Sequence, residues 1–314
     1  MTKIGDIELK SNVILAPMAG YTDAAFRSIC TDMGAALTYT EMISAKALYY
    51  KNKNTKPLLR VMNEREITGL QLFGNEPELM ASEAAKLEDG PYAFFDVNMA
   101  CPVAKVVNNG EGSALMREPE KVGKIVKALT RTLKKPVTIK IRKGFSEEDA
   151  NAVLIAKIAE DNGASAIAIH GRTREQFYNG IADYKIIADV KKAVKIPVFG
   201  SGDIFSRADY EKMISETGVD AVMAARGARG NPWIFKELAD PGFEKPDIEE
   251  IKKMIFYHLE LMLESEDEYS AVRQMRKHVG FYVTGYKNAA LVRREINTCE
   301  TADEFRGKLT LWKA

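Results

Sequence analysis

The chain has 314 residues, 46% of them hydrophobic, with 45 Lys and Arg against 44 Asp and Glu. That is enough for one large core or for a large domain with a small one, and the near-even charge means that any nucleic-acid surface must be local. Cys30, Cys101 and Cys299 lie far apart without a C-x-x-C pair, so neither a disulfide framework nor a metal site is expected. The N-terminus is polar and no apolar run reaches the roughly 20 residues of a membrane span, which points to a cytoplasmic protein.

Val13–Pro17 reads as the first strand, and Thr22 or Asp23 can cap the helix that carries Phe26, Ile29 and Cys30. Leu37–Glu41 and Ile67–Leu72 read as strands two and three, separated by a long polar stretch from Ser44 to Arg65 that suggests an insertion. A helix from Pro77 to Leu87 leads to strand four, Phe94–Val97. Pro119 opens a helix with Val122, Ile125, Val126 and Leu129 at helical spacing. Val137–Ile141 is strand five, Asp149–Asp161 a helix closed near Gly163, and Ala166–Ile169 strand six. A helix within Ile181–Val194, strand seven at Ile196–Phe199 and strand eight at Val219–Met223 complete the series.

Eight strands alternating with helices predict parallel pairing and a closed (β/α)8 barrel of the TIM type, and no G-x-G-x-x-G follows the first strand to support a dinucleotide-binding sheet. After the Pro/Gly linker Asp240–Pro246 only helical spacing remains, over Ile248–Leu263, Ala271–Val283, Ala289–Ile296 and Thr301–Leu311. The expected organisation is a barrel over residues 1–240 and a small helical bundle over 241–314.

A barrel of this kind gathers its chemistry at the C-terminal ends of its strands. There the chain places Met18 and Ala19, Gln71, Asn98 and Cys101, Lys140 and Arg142, His170 and Arg172, Ser201–Asp203 and Ala225–Gly227. Cys101 stands in Asn98-Met99-Ala100-Cys101-Pro102, where Pro102 keeps a helix from starting at that point and fixes the turn. Lys140 and Arg142 alternate along one strand, so both point to one side. The turns after strands seven and eight suit a phosphate, through backbone N–H groups and Arg226. P-loop, serine-hydrolase and zincin motifs do not occur.

Together these stretches resemble the tRNA-dihydrouridine synthase family. The likeness runs through Ala16-Pro17-Met18-Ala19-Gly20, Gln71-Leu72-Phe73-Gly74, Asn98-Met99-Ala100-Cys101-Pro102, Lys140-Ile141-Arg142, His170-Gly171-Arg172-Thr173, Gly202-Asp203-Ile204 and Gly230-Asn231-Pro232-Trp233. It continues into the tail at Met275-Arg276-Lys277-His278. Ser201 stands where many members carry Asn, and Ala225 where many carry Gly.

The resemblance implies an FMN enzyme that reduces uridine in tRNA to 5,6-dihydrouridine with NADPH or NADH. It implies that Pro17, Met18, Ala19, Gln71, Lys140, His170, Ser201, Gly202, Asp203, Ala225 and Arg226 hold FMN, and that Cys101 donates the proton to C5. Asn98, Arg142 and Tyr178 would hold the uracil, and the tail residues Arg273, Arg276 and Lys277 the tRNA. Apart from the resemblance, no metal and a monomeric chain are expected. A small-molecule FMN oxidoreductase of the dihydroorotate dehydrogenase type and a non-catalytic tRNA-binding protein are the alternatives. The basic tail disfavours the first, and the reactive side chains disfavour the second.

Overall fold

The computed structural model describes residues 2–63 and 65–313. Met1, Glu64 and Ala314, at the two ends and within the expected insertion, lie outside the described residues. A hairpin of β1 (Lys3–Ile4) and β2 (Ile7–Glu8) precedes the barrel. The barrel runs through β3 (Val13–Leu15), β4 (Thr38–Tyr39), the short β5 (Ile43–Ser44), β6 (Thr68–Phe73), β7 (Phe94–Met99) and β8 (Val137–Arg142). It continues with β9 (Ala166–His170), β10 (Val198–Ser201) and β11 (Ala221–Ala224).

All neighbours in this sheet are parallel, in the order β3-β11-β10-β9-β8-β7-β6-β4, with β5 added beside β6. Ala36 N–H donates to the Val13 carbonyl (2.9 Å) and Leu15 N–H to that of Leu37 (3.0 Å), which closes the ring between β3 and β4. The expected eight-stranded parallel barrel is therefore present. Its strands are almost wholly buried, as parallel strands with helices outside must be. The register sets Gln71 opposite Asp96, Asn98 opposite Lys140, and Arg142 and Ser201 on either side of His170. Polar side chains from five strands thus gather toward the C-terminal ends of the barrel strands.

The helices are α1 (Ala24–Asp32), α2 (Ala45–Tyr49), α3 (Pro77–Ala85), α4 (Ala104–Val107), α5 (Pro119–Thr132), α6 (Ala152–Asp161) and α7 (Tyr184–Ala193). After them come α8 (Arg207–Thr217), α9 (Ile234–Ala239), α10 (Ile248–Ser265), α11 (Glu268–Tyr282), α12 (Ala289–Asn297) and α13 (Ala302–Thr310). Pro77 and Pro119 each stand in a first turn, and α5 buries the expected Val122, Ile125, Val126 and Leu129. Among the described residues no helix is long and apolar enough to cross a membrane.

Some local expectations change. Asp23, not Thr22, caps α1; the Thr22 hydroxyl instead accepts from Met18 N–H (2.9 Å). The helix expected from Asp149 starts only at Ala152, because the chain at Asp149–Ala150 folds back against the Gly144 backbone. No helix starts at Pro102, and α4 begins two residues later at Ala104.

The helices after the linker do not bury their apolar faces among themselves alone. Ile255, Leu259, Met275, Val279 and Phe305 share a core with Ala25 and Ile29 of α1 and with Trp233. Gly230 fixes a second approach: it is left-handed (φ 66°), and an added Cβ would lie 2.3 Å from the Phe281 carbonyl carbon of α11. A polar clip joins the same parts. Asp23 Oδ2 accepts from His278 Nε2 (2.8 Å), Asp23 Oδ1 accepts from Phe26 N–H (2.9 Å), and His258 lies beside His278 with ring centres 4.4 Å apart. Burial raises the Asp23 carboxyl, but His278 and His258 outweigh it and hold the group well below the usual range.

Burial, reinforced by the charge of His278, pushes His258 down to about 4. The unfolded chain titrates this imidazole near 6.5, so as pH falls from about 6.5 toward 4 the unfolded state takes up a proton that the fold refuses. The stability held by neutral His258 is complete above that window and is lost through it. Urea unfolding at stepped pH should give His258→Gln a slope shallower by close to one proton than the wild type. Parallel curves would show that His258 is not buried neutral.

Candidate functional site

A cavity of about 300 Å³ opens at the C-terminal ends of the strands. Its wall includes Pro17, Met18, Ala19, Asn98, Cys101, Lys140, Arg142, His170, Tyr178, Ser201, Gly202, Asp203, Ala225 and Arg226. Fourteen residues singled out from sequence therefore line one space.

Gln71 is placed differently. It is buried behind the wall, where its Nε2 donates to Asp96 Oδ2 (2.7 Å) and its Oε1 accepts from Asn98 Nδ2 (2.8 Å). Asp96 takes a second bond from the Thr138 hydroxyl (2.6 Å). Burial raises the Asp96 carboxyl, partly offset by Thr138, Gln71 and the Lys140 charge. Asn98 is thereby oriented so that its Oδ1 accepts from Ala100 N–H (3.1 Å) and Cys101 N–H (2.9 Å). This Asx turn sets the thiol loop. The sequence signal for this role of Asp96 is a carboxylate between apolar residues of a buried strand, which must find hydrogen bonds.

Cys101 is half-buried. Burial raises its thiol, against smaller lowering effects from the Val103 N–H and Arg142, so it holds its proton at neutral pH. Arg142 staples the loops around it: Nε donates to the Ala100 carbonyl (2.7 Å), and Nη1 to those of Thr173 (2.8 Å) and Phe177 (2.9 Å). Nη2 is left over. Tyr178 stands beside it, its ring 5.9 Å from the Arg142 guanidinium and 5.0 Å from that of Arg226.

Lys140 is only 8% exposed, and no carboxylate pairs with it among the described residues. Burial, and after it Arg142, lower its ammonium to about 8, with Asp96 opposing. His170 is driven well below its ordinary value by burial and by Arg142, Lys140, Arg172 and Arg226, so it is neutral. Arg172 Nη1 lies 3.3 Å from His170 Nε2. Arginine only donates, so Nε2 is the acceptor and Nδ1 carries the hydrogen.

Asp203 organises the next turn. Its left-handed backbone (φ 56°) is one that Asp tolerates better than most residues. Its carboxylate accepts from Arg172 (2.6 Å), Arg226 (2.8 Å) and Ala182 N–H (2.9 Å), and these cations hold it below the usual range despite burial. Arg172 also donates to the carbonyls of Asn179 and Gly180, and so anchors the loop that carries Tyr178. Sequence reasoning had put Arg172 on this face without a role.

The tail residues divide. Arg273 is exposed over Tyr269, and Lys277 sets its ammonium 4.6 Å from the ring centre of Tyr21, which lines the cavity. Arg276 turns inward, where it donates to the Cys299 carbonyl. Tyr21, Phe205 and Arg229 line the mouth and were not foreseen.

Comparison with known proteins gives a consistent picture. A family model described as Dihydrouridine synthase (Dus) matches residues 14–313. The chain is 39% identical over 305 residues to tRNA-dihydrouridine synthase B of Vibrio vulnificus, covering 96% of this chain and 95% of that one. It is 40% identical over 303 residues to a probable tRNA-dihydrouridine synthase of Rickettsia bellii, covering 95% and 93%. It is 37% identical over 308 residues to tRNA-dihydrouridine synthase B of Pseudomonas aeruginosa, covering 96% and 93%. With a barrel that gathers the matching motifs around one cavity and a model match that runs through the tail, the chain belongs to the dihydrouridine synthase family, a flavin-dependent group of oxidoreductases.

Proposed function

We propose that this chain reduces the C5=C6 bond of uridines in tRNA to 5,6-dihydrouridine, as a cytoplasmic monomer with FMN in the cavity and NADPH or NADH as reductant. Lys140 carries the reading: a buried ammonium without a carboxylate partner faces a cavity that also holds a protonated thiol. An uncompensated buried cation calls for an anionic partner.

The donor set fits FMN. Lys140 would offer positive charge to the ring system, and neutral His170 would offer Nδ1–H. The backbone at Ser201, Gly202, Asp203 and Ala225, with the Arg226 guanidinium, suits the phosphate. Pro17, Met18 and Ala19 supply an apolar wall, and Gln71 acts through Asn98. FMN held by these residues would supply hydride chemistry for C6 of uracil.

The protein's own part is position and a proton. Tyr178 and the free Nη2 of Arg142 hold the uracil beside Asn98. Cys101 then gives its proton to C5, completing addition of one hydride and one proton across the double bond. A base reaches such a cavity only after leaving its stack. Residues 1–240 hold the cavity, and residues 241–314 hold tRNA through Arg273, Lys277 and the exposed Arg293 and Arg294. Arg276 serves the packing of that region.

Purified protein should be yellow and release FMN on denaturation, and it should form dihydrouridine in unmodified tRNA, read by mass spectrometry. A protein that takes up no FMN even in excess would overturn the reading.

Lys140 gives a pH test. FMN affinity should be level below about pH 8 and fall above it, where the empty site loses the proton on Lys140. Lys140→Met should bind more weakly, with no such fall, in fluorescence titrations. A wild-type affinity that holds constant to pH 9.5 would remove Lys140 from the anion's surroundings.

Cys101→Ser should keep FMN, accept hydride from the nicotinamide and bind tRNA. Its tRNA-dependent flavin reoxidation should slow by about 10²–10⁴-fold, the usual worth of a general acid. Rapid-mixing traces showing slowed reduction by nicotinamide instead would assign the proton to another group.

A further inference from the structure

The mouth of the cavity holds two cations from distant parts of the chain on one aromatic ring. The Arg229 guanidinium, from the turn after β11, lies 4.9 Å from the Tyr21 ring centre and 5.2 Å from that of Phe281 on α11. The Lys277 ammonium, also from α11, lies 4.6 Å from the Tyr21 ring centre. Tyr21 and Phe281 meet edge to face at 5.4 Å, so the support under the guanidinium is itself packed.

Neither cation has an ion-pair partner among the described residues. Glu41, the carboxylate whose charge acts on Lys277, already accepts from Gly20 N–H (2.8 Å). Arg229 Nε is buried without a hydrogen-bond partner, although Arg229 lines the cavity. Arg226, three residues earlier, is bound to Asp203, and Arg142 and Arg172 are bonded to backbone carbonyls. Arg229 is therefore the guanidinium at the mouth that the fold has oriented without giving it an anion. Gly230 beside it locks the turn against α11, so the geometry does not depend on a mobile loop.

We propose that Arg229 is a positioning residue for the substrate: together with Lys277 it grips the phosphodiester flanking the uridine that enters the cavity. The inference rests on the proposed reduction of tRNA uridine. A nucleoside that enters base-first leaves its phosphates at the rim, and a stacked guanidinium whose side chain has no hydrogen bond among the described residues matches a phosphate's geometry. Because the clamp is built from the barrel and from α11 at once, it registers the backbone of the tRNA against the cavity and reads no base. The reducing dinucleotide also carries phosphates, but half of this clamp comes from α11, which the reading assigns to tRNA.

Arg229→Gln and Arg229→Lys test this in the full-length flavoprotein. The Gln variant should bind unmodified tRNA about tenfold more weakly at physiological salt, as loss of a charge-assisted hydrogen bond implies. Its log–log salt slope should fall by about 0.7–0.9, one phosphate's worth. Flavin content and melting temperature should hold, and the Lys variant should recover most of the salt slope. An unchanged affinity and slope in Arg229→Gln overturn the proposal alone. So does slowed reduction by NADPH with tRNA binding intact, because the phosphate then belongs to the dinucleotide. So does a slope that Arg229→Lys leaves as low as Arg229→Gln. Wild-type protein that neither binds nor modifies tRNA overturns the functional reading as well.

Discussion

Asp96 is a carboxylate inside a closed barrel, and the reactive loop depends on how its two oxygens are satisfied. Thr138 takes one and Gln71 the other. Gln71 is then oriented to receive the Asn98 amide, and Asn98 in turn receives the N–H groups of Ala100 and Cys101. An unmet polar atom at this depth would cost about 1–3 kcal/mol, so each link favours the next. The position of the thiol is set in this way from the barrel interior and not by its own loop.

The cations of the site fall into two kinds. Arg142 and Arg172 are buried and donate mainly to carbonyls of irregular loops, which would otherwise carry unsatisfied acceptors near a cavity. They act as staples for the segments bearing Cys101 and Tyr178. Lys140 is buried without such partners, and its lowered ammonium records the cost. Positive charge that the fold leaves uncompensated marks where an anion belongs. Arg229 at the mouth likewise has no carboxylate among the described residues, whereas Arg226 shares the single carboxylate of Asp203 with Arg172.

The helices after the linker are joined to the barrel by burial and by a polar clip. Their core takes in Ala25 and Ile29 of α1, and Asp23 both caps α1 and receives His278. Asp23 follows directly on the loop of Met18 and Ala19, which lines the cavity. The position of α11 and the shape of the cavity rim are therefore mechanically linked through one short segment. The extra burial also explains why so small a group of helices is ordered at all.

The alternation of apolar strands with amphipathic helices was sufficient by itself to predict the parallel barrel, since each strand is buried on both faces and each helix on one. Residues directly after the strands were legible for the same reason: Cys101, Lys140, Arg142, His170 and Arg226 follow apolar runs that end at one rim. What the sequence could not decide was which polar group bonds to which. Gln71 lies behind Asn98 because β6 pairs with β7 in a register that sets Gln71 opposite Asp96, and register between strands is invisible in either strand alone. Arg276 and Lys277 are adjacent cations in the sequence, yet one turns inward to Cys299 and the other to Tyr21, because successive helical positions face different neighbours. Arg229 had no local signal: its partners Tyr21 and Phe281 come from opposite ends of the chain, and only tertiary packing brings them together.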